Sequence, residues 1–259
     1  MKPRVSTALI LAAGLGARLG PRGRAAPKGF LRLGERPIVE ESVALLAEAG
    51  IERVVIVTGH LSGFYEELRR SAPRLIETVH NPDYASTGSL RSLACARERI
   101  DGDLLLLESD LVYERRALVA ALGDPRDDLV LLSEPSGSGD EVWVEVDGGR
   151  LVSMSKDRTK LGARVEGELV GISKLSHALY AALCEVAAAD PAAARGHYET
   201  EGLVALAPLR AIPCRLVPDL VWAEIDDEAA LTRARERVYP AILARDDVRP
   251  LLSQLPLPN

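Results

Sequence analysis

The sequence predicts an α/β fold: a doubly wound, mainly parallel mixed sheet flanked by helices, with a small β-rich insertion in the second half. Three observations carry this. Short apolar runs alternate with helical spacing through the first half of the chain, as repeated β–α units require. The four leucines Leu104–Leu107 form an uninterrupted apolar run, the pattern of a strand covered on both faces of a parallel sheet. After Leu118 the pattern changes to closely spaced strand runs around Asp147-Gly148-Gly149, which signals a hairpin turn.

Thr7–Ala13 reads as the first strand. Ile38–Ala49 has apolar residues at helical spacing, with Glu40 and Glu41 in its early turns and Gly50 as a stop. Arg53–Thr58 is a second strand, Gly63–Ser71 a short helix, Leu75–His80 a third strand, Ser89–Arg99 a helix and Asp103–Glu108 a fourth strand. In the second half, strands are expected at Leu129–Ser133, Val142–Val146, Leu151–Ser155, Glu168–Ser173 and Val221–Ile225. Helices are expected over Ala178–Ala189 and over Asp227–Ala244, the latter interrupted by Pro240. Ser136-Gly137-Ser138-Gly139 reads as a flexible segment of the kind that serves as a lid.

The chain has 259 residues, enough for one large α/β domain or two small ones. A formal net charge of −6 argues against a general nucleic-acid binder, while leaving room for a local cationic pocket. Cys95, Cys184 and Cys214 are far apart, without a CxxC, so neither a zinc site nor a disulfide framework is expected. Lys2 and Arg4 precede an apolar stretch without a signal-peptide core or cleavage site, and no stretch is long enough to span a bilayer. The expectation is a cytoplasmic protein with no membrane partner.

Chemistry enters at the end of the first strand. Leu11-Ala12-Ala13-Gly14 runs into a turn containing Gly16, Arg18 and Gly20, and Lys28 follows in Pro27-Lys28-Gly29. Gly14 and Gly16 permit a tight turn whose N–H groups face phosphate oxygens. Arg18 offers a planar fork and Lys28 a mobile point charge. A dinucleotide fingerprint needs a glycine where Leu19 stands, and a Walker loop needs Ser or Thr where Gly29 stands. The alternative to a polyphosphate cradle is a glycine-rich turn with solvated cations.

Ligands of open parallel sheets bind beyond the carboxyl ends of the strands. Asp110 follows the leucine strand, and Glu224, Asp226 and Asp227 leave the Val221–Ile225 strand. Asp110 and Asp226 are therefore candidate Mg²⁺ ligands, with helix capping as the competing use of each. His60, His80, His177 and His197 are scattered and read as surface or packing residues rather than catalysts.

The motifs Leu11-Ala12-Ala13-Gly14…Arg18-Leu19, Pro27-Lys28-Gly29, Ser109-Asp110 and Glu224-Ile225-Asp226 resemble, in order, those of the sugar-phosphate nucleotidyltransferase family. Asn81–Leu90, Thr58-Gly59-His60, Ser138–Val142 and Glu168–Ile172 are similar to the cytidylyltransferases acting on phosphocholine or 2-aminoethylphosphonate, the latter most of all. The resemblance implies a Rossmann-like catalytic domain over 1–250. Within it, a nucleotide-binding part would span about 1–118, an acceptor-binding part about 119–226 and a C-terminal helix about 227–244, with a tail at 251–259.

It also implies Mg²⁺-dependent CMP transfer from CTP to 2-aminoethylphosphonate, as in phosphonate biosynthesis, with pyrophosphate as the second product. Phosphocholine and inositol 1-phosphate are alternative acceptors. By the same resemblance Arg18 and Lys28 act on the triphosphate, and Lys156 on the acceptor's phosphonate. The nucleotide lies against Leu11, Ala12, Ala13, Gly14 and Gly16, with Gly88 and Ser89 reading the pyrimidine edge. An ammonium head group needs carboxylates or an aromatic wall, and Asp140, Glu141, Tyr198, Glu199, Trp222 and Glu224 are the candidates. A non-catalytic nucleotide-binding module and a dehydrogenase are the readings from other classes. A homodimer is compatible with the sequence, which leaves oligomeric state open.

Overall fold

Alternate residues of the apolar runs go to opposite faces of one sheet, which is why the runs carry so few polar interruptions. In the computed structural model, which describes residues 5–246, Leu9, Val55, Leu104 and Leu106 join one core layer. Their neighbours Ile10, Val54, Ile56, Leu105 and Leu107 join the other. Each buried leucine adds roughly 1.5–3 kcal/mol.

The strands are β1 (Thr7–Ala12), β2 (Arg53–Thr58), β3 (Ile76–His80), β4 (Leu104–Glu108), β5 (Leu111–Tyr113), β6 (Leu129–Ser133), β7 (Trp143–Asp147), β8 (Arg150–Ser155), β9 (Val165–Leu175), β10 (Cys214–Leu216) and β11 (Trp222–Glu224). The main sheet has the order β10-β6-β9-β4-β1-β2-β3, with the β7–β8 hairpin attached to β9. β1 is parallel to β2 and β4, and β2 to β3. β9 runs antiparallel between β4 and β6, which makes the sheet mixed. β5 and β11 form a separate antiparallel pair. The chain turns to opposite sides of β1 to make β2 and β4, so the crevice that this topology opens lies beyond the carboxyl ends of β1 and β4.

The hairpin at Gly148-Gly149 forms as expected: both glycines have positive φ, 56° and 76°, and Asp147 pairs with Arg150. Several expectations need correction. The helix expected over Ser89–Arg99 ends at Cys95 and resumes as a tight turn over Arg97–Arg99. Pro240 does not interrupt the last helix. The irregularity is a π-helical stretch, Ala234–Val238, and Pro240 is the second residue of the segment Tyr239–Asp246 that follows it. A widened turn there absorbs the proline's missing N–H. The short strands β5 and β10 were not expected, because three-residue strands carry too little periodicity to register; the two-turn helix Arg116–Leu122 was not expected either.

A third apolar cluster, including Leu19, Leu31, Ile225, Leu231 and Ile242, pins the glycine turn to β11 and the C-terminal helix. No helix among the described residues is long and apolar enough to cross a membrane. The tail expected at 251–259 lies outside the described residues.

Candidate active site

A cleft of about 410 Å³ opens at the crevice between β1 and β4. One wall is the turn after β1. Gly16 adopts φ +63°, and a Cβ on Gly23 would stand 2.1 Å from the Gly16 carbonyl oxygen, so only glycine lets the Pro21–Ala25 helix close on the turn. His60 Nε2, in the tautomer that carries hydrogen there, donates to the Gly23 carbonyl oxygen at 3.1 Å and so braces the same turn. Leu11, Ala12, Ala13 and Gly14 line the cleft, whereas Gly16 packs behind it.

Across the cleft, Gly88 and Ser89 line the opposite wall. The Ser89 hydroxyl accepts from Tyr198 N at 3.0 Å, and Gly88 packs where any Cβ would meet the Gly196 carbonyl at 1.9 Å. These contacts bind the wall to a π-helical turn, Tyr198–Leu203.

Lys28 stands between the two carboxylates proposed from the sequence as metal ligands. Its Nζ donates to Asp110 Oδ2 at 2.7 Å and also to Asp226 Oδ1. Arg18 reaches Asp226 Oδ2 at 2.7 Å and Asp140 Oδ2 at 2.8 Å, and Lys156 reaches Asp140 Oδ1 at 2.8 Å. Arg18, Lys28 and Lys156 are thus joined through two aspartates into one chain of charges. Burial works against the Lys28 ammonium, but Asp110 and Asp226 outweigh it and hold the proton firmly. Burial likewise opposes the Asp140 charge, yet hydrogen bonds from Lys156 and Arg18 bring its carboxyl down to about 2.

Capping does not explain Asp226, because its neighbour Asp227 is the cap, accepting from Ala230 N at 2.7 Å. Asp110 lies in the turn between β4 and β5 and caps no helix. Both oxygens already converge on one positive charge, and the donors are hard carboxylates, so the pair fits a divalent cation of the Mg²⁺ class. Asp110 also belongs to a second group: one oxygen each from Glu108, Asp110 and Glu224 lie within 4.8 Å of one another.

These glutamates face little compensating charge. Burial, then Asp110 and Asp226, pushes the Glu224 carboxyl up to about 8. Burial, then Glu224, Glu199 and Asp110, raises Glu108 well above the carboxylate range. Glu108 was not foreseen, although it is the first carboxylate after the leucine run and the strand-end rule that picked Asp110 applies to it.

The other nominated residues divide. Asp140, Glu199, Trp222 and Glu224 line the cleft. Tyr198 is fully buried with its hydroxyl enclosed, and Glu141 turns back to accept from Gly139 N at 3.2 Å. Trp222 Nε1 donates to Ser133 Oγ at 2.8 Å, which fixes its ring. In the segment read as a lid, Ser136 is tied to Glu168 through its N–H at 2.6 Å and its hydroxyl at 3.1 Å.

Over 246 residues the chain is 33% identical to a CMP-5'-(3-aminopropyl)phosphonate synthase of Streptomyces rubellomurinus, a match spanning 90% of this chain and 39% of that protein. It is 31% identical over 108 residues to a 2-aminoethylphosphonate cytidylyltransferase of Lancefieldella rimae, spanning 41% of this chain and 44% of the relative. The chain thus spans about two fifths of the length of these two relatives. The solved structure of the inositol-1-phosphate CTP transferase from T. maritima superposes with a TM-score of 0.79 at 19% identity, covering 94% of this chain and 97% of that one. That likeness establishes a shared Rossmann-like fold. Residues 8–257 match the family described as the MobA-like NTP transferase domain, and the chain belongs to that family.

Proposed function

We propose that the protein transfers CMP from CTP to 2-aminoethylphosphonate, releasing pyrophosphate. The observation that carries this is the chain of charges at the crevice: Lys28 held by Asp110 and Asp226, and Arg18 joined through Asp140 to Lys156. Such an array suits a reaction that brings two anions together. An oxygen of the acceptor's phosphonate attacks the α-phosphorus of CTP. The new P–O bond forms as the bond to the β-phosphate oxygen breaks, and pyrophosphate leaves with the electron pair. The nucleophile is already anionic at neutral pH, so no general base is needed.

The protein's part is alignment and neutralisation of charge. Arg18 and the N–H groups of the glycine turn hold the outer phosphates, and Lys28 faces charge developing at the α-phosphate. Lys156 holds the phosphonate. Asp110 and Asp226 would hold Mg²⁺, which when bound supplies a template and a Lewis acid for the phosphate oxygens. For these roles Lys28, Arg18 and Lys156 exchange carboxylate partners for phosphate oxygens. The nucleotide lies against Leu11–Gly14, with Gly88 and Ser89 at the pyrimidine edge.

The names of the two sequence relatives support a phosphonate acceptor bearing an amine. Transfer to another small phosphate ester such as phosphocholine is the second reading, favoured by a choline-phosphate cytidylyltransferase of Streptococcus pneumoniae that is 32% identical over 107 residues. Phosphorus NMR of the protein with CTP, Mg²⁺ and 2-aminoethylphosphonate tests the proposal. Coupled signals of a phosphonate–phosphate anhydride should grow with free pyrophosphate. CTP left intact with this acceptor, but consumed with phosphocholine, overturns the acceptor.

A further inference from the structure

Glu199 is the group in the cleft whose bonding is least accounted for. It is 7% exposed and lines the cleft, yet its Oε2 has no hydrogen-bond partner. Its Oε1 lies 3.8 Å from the exposed His197 imidazole, too far for a hydrogen bond. A buried carboxylate oxygen without a donor is costly, and folds rarely keep one without a use for it.

This one is held in place. The π-helical turn Tyr198–Leu203 presents it, a geometry frequent at functional sites. Ser89 fixes Tyr198 N, and Glu201 takes His197 N at 2.6 Å, so the backbone leading into Glu199 is anchored. Other carboxyls crowd its surroundings. Glu108 feels both Glu199 and Glu224, and the enclosed Tyr198 hydroxyl lies among the same three glutamates. Of the basic groups around it, Glu199 feels His197 first and then Lys156.

Resting on the nucleotidyl-transfer reading, we propose that Glu199 selects the acceptor by receiving an N–H of a primary ammonium, while Lys156 holds the anion at the other end of the same molecule. Two features specify this chemistry. The free oxygen requires a donor, and a trimethylammonium has no N–H to give it. The Glu199 carboxylate is best matched by a donor that also carries positive charge, which a polyol hydroxyl lacks. A zwitterion with an anionic head and a protonated amine meets both requirements. Burial raises the Glu199 carboxyl above its usual range, and a bound ammonium relieves that.

The test compares kcat/KM for 2-aminoethylphosphonate and for ethylphosphonate, which lacks only the amine, in the unaltered protein and in Glu199→Gln. Glutamine keeps an acceptor oxygen of the same shape and removes the charge. The preference for the amine should fall by about 10- to 100-fold in the variant. Glu199→Asp, which keeps the charge on a shorter arm, should retain part of it. Thermal melting of each variant establishes that it is folded. An unchanged ratio in folded Glu199→Gln overturns the proposal, as does equal turnover of 2-aminoethylphosphonate and phosphocholine by the unaltered protein. Ethylphosphonate used as well as 2-aminoethylphosphonate also overturns it, while leaving nucleotidyl transfer standing. Pyrophosphate release with none of these acceptors overturns the transfer reading itself.

Discussion

Carboxylates crowd both ends of the sheet and meet opposite treatment. Where β4 and β6 begin, each is given partners. Asp124 accepts from Arg126 at 2.7 Å through both oxygens and from Arg215 at 3.3 Å. Asp128 takes Ser176 N and Arg210, and Asp103 takes His177 N. Hydrogen bonds from Arg126 bring the Asp124 carboxyl down to about 2. Where β4 ends, Glu108, Glu199 and Glu224 face one another, and Glu224 rises to about 8. Carboxyl groups stabilise the fold at one end and strain it at the other. Carboxyls left short of partners in a cleft are ready to engage a cationic or metal-bearing ligand.

Substitutions at the two ends should therefore separate activity from stability. The largest effect is expected at Asp110: Asp110→Asn should lower kcat by at least about 10³-fold, the loss of several kcal/mol of charge stabilisation. Calorimetric titration should still detect CTP. Undiminished pyrophosphate release would refute the role given to Asp110. Lys28→Ala should lower kcat by about 10²–10³-fold, measured in single-turnover experiments that separate chemistry from release. Asp140 competes with substrate oxygens for Arg18 and Lys156 in an exposed pairing worth about 0–1 kcal/mol. Asp140→Asn should accordingly lower the KM for CTP by up to about fivefold, and a higher KM would make Asp140 a ligand-holding residue instead.

The smallest effect belongs to the other end. Asp124 has its carboxyl depressed from 3.8 to about 2 in the fold, so its contribution to stability is present above about pH 4 and is lost as pH falls through 2. Asp124→Asn should lower Tm at pH 7 by roughly 2–4 °C for each kcal/mol lost, leave turnover intact, and converge on the unaltered protein near pH 2. A loss of turnover instead would collapse the distinction between the ends.

How legible all this was in the sequence follows from how local each signal is. The Leu104–Leu107 run and the Arg53–Thr58 run gave their strands closely, because burial on both faces leaves an unbroken apolar stretch. The Gly148-Gly149 turn was readable because a two-residue hairpin demands positive φ. Arg18, Lys28, Asp110 and Asp226 were legible as strand-end charges. Their pairing was not, since Lys28 and Asp226 are 198 residues apart. Glu108 was legible by the same strand-end rule, but the choice between it and Asp110 depends on contacts made across the fold. The enclosure of Tyr198 and the open oxygen of Glu199 depend on a π-helical turn, and a sequence with no distinctive period does not announce one.

The most direct measurement is a crystal structure of the protein with CMP-2-aminoethylphosphonate and Mg²⁺. The account predicts the metal on Asp110 and Asp226, the nucleotide phosphate facing Lys28, the phosphonate on Lys156 and the amine within hydrogen-bonding distance of Glu199 Oε2. A product bound with its amine in solvent, or with its phosphates away from Lys28, would contradict it.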